Sequence, residues 1–115
     1  MTTSRRTPAP IRRVDTSRLT EALALQVFGW RSAPGRFLKP GRGWVAKSRF
    51  NPFERIEHAV QLLDQASERY ILSCTHGRVS FSAEVTIGAR TGSARGELKA
   101  RTITVAIARA LGMEA

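Results

Sequence analysis

The chain has 115 residues, of which 42% are hydrophobic and 24% are charged, and its formal net charge at pH 7 is +10. This length predicts one domain with a modest hydrophobic core, and the one cysteine excludes an intramolecular disulfide framework. No apolar run approaches the length of a membrane span, and the N-terminus has no apolar signal-peptide core. We therefore expect a cytoplasmic protein that does not cross a membrane.

The positive charge is concentrated in the first fifty residues. Residues 1–18 carry a net charge of +4 and residues 19–50 carry +5, whereas residues 51–75 carry −2. Such a field favours a polyanionic partner, although an arginine-rich composition also keeps a small protein soluble. Residues 1–17 contain few apolar side chains, which predicts a disordered basic arm ahead of a single domain at residues 18–113.

A first helix is predicted from about Arg18 to Phe28. Its N-terminus has a capping side chain in Asp15 or in one of the two residues that follow, and Gly29 stands where a glycine often ends a helix. Apolar residues recur on one face at a spacing of four, at Leu19, Leu23 and Val27.

The segment from Trp30 to Arg49 is predicted to be a long loop, with at most a short strand at Trp44–Ala46, because glycine, proline and basic residues dominate it. Interleaved aromatic and basic residues suit stacking on unpaired bases together with phosphate contact. Trp30 continues the apolar face of the first helix and is expected to be a core anchor, whereas for Trp44 both roles stay open. The candidate nucleic-acid contacts in this loop are Arg36, Lys39, Arg42, Trp44 and Lys47.

A second helix is predicted to begin at Asn51, which can cap it, with Pro52 in the first helical position and Glu54 three residues after the cap. It is expected to end near Ser67. Its apolar stripe is formed by Phe53, Ile56, Val60 and Leu63.

A β-hairpin follows, since residues 78–87 alternate between polar and apolar side chains without a break. A two-residue turn at His76-Gly77 would place Leu72 opposite Phe81 and turn Cys74 towards the core. The same register places Cys74 opposite Val79 and Tyr70 opposite Ala83. The predicted core consists of Leu72, Phe81, Val85, Ile56, Val60, Ile103 and Ile107.

Residues 88–97 are predicted to be a polar, glycine-containing loop. Its backbone amides, with Arg90 and Arg95, could hold a phosphate, but the loop lacks the lysine and hydroxyl order of a P-loop and also fits a flexible basic connection. A third helix then begins near Leu98 or is capped by Thr102, and Gly112 ends it. Its apolar face contains Ile103, Ala106, Ile107, Ala110 and Leu111.

Candidate metal and nucleophile sites are weak. Cys74 and His76 stand two residues apart and would need further ligands, while His58 is the only other histidine. No serine lies in a glycine elbow, and no spacing pairs a histidine with a carboxylate. We therefore expect no catalytic residues, no metal, no cofactor and no enzymatic activity.

The order of these features resembles the phage ABA-sandwich domain, a family of small phage and prophage proteins. The matching segments are a helix ending in Val27-Phe28-Gly29-Trp30, the capped helix that begins Phe50-Asn51-Pro52-Phe53, and a closing helix that ends in Ala106-Ile107-Ala108-Arg109-Ala110-Leu111. The likeness covers about Leu19 to Leu111. It implies an α+β sandwich without an established biochemical activity, and it supplies no catalytic residues.

The C-terminal part is also similar to the second half of a double-stranded-RNA-binding domain, through the strand Phe81–Ile87, a glycine-containing loop and a helix ending in Ala-x-x-x-Ala-Leu. That family grips phosphates with a dense lysine run at the start of its last helix. Here only the outer residues of Lys99-Ala100-Arg101 are basic.

The sequence thus predicts an α+β domain in which a small antiparallel sheet, a β-hairpin with at most one further short strand, packs against about three helices. The leading hypothesis is a non-enzymatic phage or prophage accessory protein that acts by binding in the host cytoplasm, on nucleic acid or on another phage or host protein. The alternative is a nucleic-acid-binding module that uses the basic arm and the Arg31–Arg49 loop.

Overall fold

Three helices and two three-stranded antiparallel sheets form the computed structural model, which describes residues 15–74 and 80–115. Helix α1 (Thr16–Leu23) continues as a π-helical turn over Ala24–Phe28 and leads to the small sheet of β1 (Arg31–Ala33), β2 (Arg36–Leu38) and β3 (Trp44–Ala46). A 3-10 turn at Lys47–Arg49 precedes α2 (Ile56–Ala66). The larger sheet contains β4 (Arg69–Cys74), β5 (Phe81–Ile87) and β6 (Arg90–Gly96), and α3 (Lys99–Ala110) closes the fold. The predicted α+β class is confirmed.

The first helix agrees with its sequence signals. The Asp15 carboxylate accepts hydrogen bonds from the backbone N–H groups of Ser17 at 3.1 Å and Arg18 at 3.3 Å, so α1 begins at Thr16. Gly29 ends the helical segment in the left-handed conformation, with φ of 75°. Residues 1–14 of the predicted basic arm lie outside the described residues, and for them the arm stays a prediction, whereas residues 15–17 cap and begin α1.

The short strand allowed at Trp44–Ala46 is confirmed as β3, but the rest of the predicted long loop from Trp30 to Arg49 is wrong, because this segment folds into the small sheet. Gly35, with φ of 74°, makes the turn between β1 and β2, and Gly41 and Gly43 have positive φ in the β2–β3 connection. Phe37 in the central strand is buried and fixes the sheet against the core. The strands have three residues each, which is too short for a visible alternation of apolar and polar positions.

The larger sheet contains the predicted hairpin in a register shifted by two residues. Leu72 lies opposite Ala83 and Cys74 opposite Phe81, instead of Leu72 opposite Phe81. Because the shift is even, every residue keeps its predicted face. The predicted turn at His76-Gly77 lies outside the described residues.

Strand β4 does not enter the core as predicted. Cys74 is exposed, as are Tyr70 at 45% and Leu72 at 38% of their accessible surface. Helix α3 packs on β5 and β6 and does not extend over β4, which is the edge strand of the sheet. Among the described residues, no helix therefore packs closely on the inward side of β4.

The prediction of a polar loop at residues 88–97 is also wrong, because β6 occupies most of it. Gly88, with φ of 62°, and Ala89 form a tight turn that pairs β6 with β5. The inward positions of β6 are Gly92 and Ala94, both buried. Small inward residues gave β6 no apolar alternation, and a loop was the natural but incorrect interpretation.

Helix α2 begins at Ile56 rather than next to Asn51. The Asn51 carbonyl accepts the backbone N–H of Arg55 at 2.9 Å, which closes a separate turn, and Arg55 occupies the cap position without a side-chain cap. The helix ends as predicted, with Ser67 at its C-terminal cap. The predicted stripe is only partly correct, because Ile56 is 44% and Val60 is 36% exposed. The buried positions of the segment are Pro52, Phe53, Ala59, Leu62 and Leu63.

Helix α3 is the centre of the core, between the larger sheet on one side and α2 on the other. It is buried on almost every side, including Thr104, whose hydroxyl donates to the Pro52 carbonyl at 2.7 Å. Leu98 takes the N-cap position and Thr102 lies within the helix, while Gly112 follows its end with φ of 86°. Of the predicted core, Phe81, Val85, Ile103 and Ile107 are buried, whereas Leu72, Ile56 and Val60 are exposed.

Candidate nucleic-acid interface

The small sheet presents one face to the core and the other to solvent. Ser32, Phe37 and Val45 are paired across the three strands, and burial of Phe37 identifies theirs as the inward face. Because successive side chains of a β-strand point to opposite faces, the residues next to these three point outward. The outward face consists of one row of Arg31, Leu38 and Trp44 and a second row of Ala33, Arg36 and Ala46.

Trp44 is the aromatic centre of this outward face. Its side chain is 57% exposed, which excludes the core-anchor role that the sequence left open. The Arg36 guanidinium carbon lies 5.4 Å from the centroid of the indole ring, so a cation covers part of the ring system. Leu38, 40% exposed, lies directly opposite Trp44 in β2 and widens the apolar surface.

Trp30 has the structural role that its position predicts. Its ring stacks on Phe28 at a centroid distance of 4.8 Å and meets the edge of Phe50 at 5.3 Å. The Lys39 ammonium lies 5.6 Å from the Trp30 ring centroid and thus sits over the aromatic cluster, away from Trp44. Trp30 therefore holds the small sheet on the core.

Lys47 was predicted to contact nucleic acid, but its side chain binds other residues of the protein. Its ammonium donates to the Glu21 carboxylate at 2.9 Å and to the Ser32 hydroxyl at 2.6 Å. These bonds join the end of β3 to α1 and to β1. A phosphate would have to compete with this partly buried ion pair, so Lys47 is a poor contact residue.

The remaining predicted residues lie in two separate places. Arg42 is exposed in the β2–β3 connection next to the outward face. Arg90 and Arg95 belong to β6 of the larger sheet, and Arg90 lies beside Gly112 after the end of α3. The structure therefore groups Arg36 and Arg42 with Trp44 but assigns Arg90 and Arg95 to the other sheet.

The two residues that share the row of Trp44, Arg31 and Leu38, were not selected from the sequence. Their place in the row of Trp44 follows only from strand register, and the three-residue strands gave no signal of it. The charge of the region was visible, because no Asp or Glu occurs between Glu21 and Glu54. Lys47 is the one basic residue of residues 31–49 that pairs with a carboxylate in the described part of the chain.

Within residues 15–74 and 80–115, no group of three or more His, Cys, Asp and Glu side chains is placed to hold a metal ion. His76 lies outside these residues. No helix in the same part of the chain combines the length and the apolar character that crossing a membrane requires.

Comparison with known proteins gives a likeness in fold. No protein-family model and no curated protein matches the sequence. Among solved structures, the chain is similar to a phage protein from Bacillus cereus ATCC 14579, with a TM-score of 0.72 over 93% of this chain and 96% of that one. The two sequences are 14% identical, so the likeness shows that the chain has the fold of a phage protein.

Proposed function

We propose that the chain is a non-enzymatic phage or prophage accessory protein that acts by binding single-stranded nucleic acid on the outward face of the small sheet. The phage assignment is supported by the fold that the chain shares with the Bacillus cereus phage protein.

The main support for nucleic acid as the ligand is the exposed indole of Trp44 on a positively charged sheet. An aromatic side chain that is 57% exposed in a small domain offers a stacking surface for a base, and Arg31, Arg36 and Arg42 supply positive charge around it. A double helix hides its bases, so a flat aromatic platform favours unpaired strands. We assign phosphate contact to the arginines and base stacking to Trp44.

A protein ligand is the second candidate, and β4 favours it. Tyr70, Ile71 and Leu72 are all exposed, and β4 is an edge strand whose outer side has no partner among the described strands. Such strands are used to bind extended peptide segments. This surface is on the other sheet, so variants can separate the two candidates.

The test is the affinity for short oligonucleotides, measured by fluorescence anisotropy at low salt. Trp44→Ala is expected to weaken single-strand binding by about 1–3 kcal/mol without loss of stability, since stacking on one base contributes that much. Tyr70→Ala is the matched control, because it removes an exposed aromatic residue from the larger sheet. Absence of binding at low salt, or equal losses in both variants, would contradict the nucleic-acid function.

A further inference from the structure

An open cavity of about 540 Å³ lies between the 3-10 turn at Lys47–Arg49 and the start of α2. None of its lining residues is acidic, and most carry hydrogen-bond donors. The lining residues are Ser48, Arg49, Asn51, Arg55 and His58. The composition of the cavity therefore suits an anion.

The His58 ring is held so that one nitrogen is left to donate. Its Nδ1 accepts the backbone N–H of Asn51 at 2.9 Å, so the proton of the neutral imidazole is on Nε2. The ring also stacks on Phe50, with a centroid distance of 5.4 Å and an interplanar angle of 28°. These two contacts fix the orientation of the imidazole of His58, a residue that lines the cavity, and they leave its Nε2–H as the donor that His58 can offer to a ligand.

Two guanidinium groups at the cavity have little or no carboxylate compensation. Arg49 forms no ion pair within the described part of the chain. The Nε of Arg55 is 3.6 Å from a Glu57 carboxylate oxygen, and both side chains are more than 60% exposed, so this pair is weak. The first N–H groups of α2, which has no side-chain cap, add positive potential at the same place.

The backbone that carries these groups is fixed before any ligand binds. The buried Thr104 hydroxyl donates to the Pro52 carbonyl at 2.7 Å and ties the connection to α3. The Asn51 carbonyl accepts the backbone N–H of Arg55, which fixes the turn between the 3-10 turn and α2, the two elements on either side of the cavity. A ligand would therefore lose little affinity to ordering of the backbone.

We propose that this cavity is a binding site for a phosphate monoester. Guanidinium groups bind phosphate oxygens in a bidentate manner, and Ser48 and His58 supply neutral donors. A monoester has three terminal oxygens and up to two negative charges, which match this set of donors better than a backbone phosphodiester does. The source that we assign, the terminal phosphate of a nucleic-acid strand, rests on the proposed function, whereas the site itself does not.

The first experiment titrates the full-length protein with inorganic phosphate and follows the His58 ring and the Asn51 amide by NMR. Saturable shifts at these two positions are expected. The second experiment compares single-stranded oligonucleotides with and without a 5′-phosphate, and the phosphorylated strand is expected to bind about tenfold more tightly, the equivalent of one charge-assisted contact.

The variant for both experiments is Arg49→Ala with Arg55→Ala, and its control is Arg18→Ala with Arg69→Ala. The control removes the same charge from exposed positions outside the cavity. The cavity variant should lose about tenfold or more of its phosphate affinity, whereas the control should change less than about twofold. If the double variant does not fold, the single variant Arg49→Gln is compared with the control instead, because Arg49 lies outside the α-helices.

The outcomes separate the site from the proposed function. Saturable phosphate binding that the cavity variant abolishes supports the site, and if oligonucleotides do not bind at all, the ligand is a small phosphorylated molecule and the nucleic-acid function is wrong. Absence of saturable shifts at His58, or equal losses in the variant and the control, would overturn the site. Oligonucleotide binding through Trp44 would be unaffected by that result.

Discussion

Gly92 shows how one residue sets the distance between α3 and the larger sheet. A Cβ atom at this position would lie 2.3 Å from the Ala106 carbonyl oxygen and 2.3 Å from the Ala110 backbone nitrogen. These are backbone atoms of α3, so no side-chain rotation could relieve the contact. The close approach allows α3 to bury alanine and threonine side chains against the sheet, and it explains why the inward face of β6 contains no large apolar residue.

We predict that Gly92→Ala destabilises the fold by about 1–3 kcal/mol or more, because helix and sheet must separate to accept the methyl group. Urea unfolding measures the change. Arg95→Thr is the control, since it alters an exposed position of the same strand, and it should change stability by less than about 0.5 kcal/mol. Wild-type stability in Gly92→Ala would show that α3 does not approach the sheet this closely.

At the scale of elements, the sequence predicted the long helices better than the strands. Helix α1, the end of α2 and the end of α3 follow from Asp15, Ser67 and Gly112, where a cap or a left-handed glycine acts locally. The start of α2 was placed too early because Asn51 and Pro52 form a turn that resembles a capped helix in sequence. A local motif cannot show that the Asn51 carbonyl accepts from Arg55 and that the helix begins after this turn.

The strands could not be predicted fully, because their faces depend on what α3 covers. The alternation in β5 was visible and is confirmed by the burial of Phe81, Ala83 and Val85. The same apolar pattern in β4 ends at the edge of the sheet, beyond α3, so Leu72 is exposed. Sequence periodicity indicates which residues share a face, whereas the extent of the covering helix decides whether that face is buried.

This difference between β4 and β5 gives a prediction. Phe81→Ala should destabilise by about 3–5 kcal/mol, as expected for a buried phenylalanine. Leu72→Ala should lower the free energy of unfolding much less, because 38% of the Leu72 surface is already exposed to solvent. Denaturant unfolding of both variants tests this order. A loss below about 1 kcal/mol for Phe81→Ala would place β5 outside the core.

The helix caps give a second prediction at this scale. Asp15→Ala should destabilise by about 1 kcal/mol through loss of the two backbone hydrogen bonds that its carboxylate accepts. Asn51→Ala should have a smaller effect, because the bonds of Asn51 with Arg55 and His58 use its backbone, which the substitution retains. Thermal unfolding compares the stability of the two variants. A larger loss of stability in Asn51→Ala would mean that the Asn51 side chain does cap the helix.

For the whole molecule, the sequence predicted where the positive charge is concentrated along the chain, but not how the charged side chains are arranged in space. The excess of basic residues before residue 50 predicted a cationic region, and the outward face of the small sheet lies within it. Composition could not show that Lys47 is bound to Glu21, or that Arg31 shares a row with Trp44. Both facts depend on strand register and on the contact between α1 and the small sheet.

The salt dependence of binding tests whether the small sheet is the interface. Each phosphate that a protein neutralises on a single strand contributes about 0.7 to the slope of log affinity against log salt. Replacing Arg31, Arg36 and Arg42 together by alanine should therefore flatten that slope by about two units if all three contact phosphates. The equivalent replacement of Arg69, Arg90 and Arg95 removes the same charge from the larger sheet and should leave the slope nearly unchanged. Equal flattening by both triple variants would mean that net charge, rather than the small sheet, determines binding, and an unchanged slope in the first variant would remove these residues from the interface.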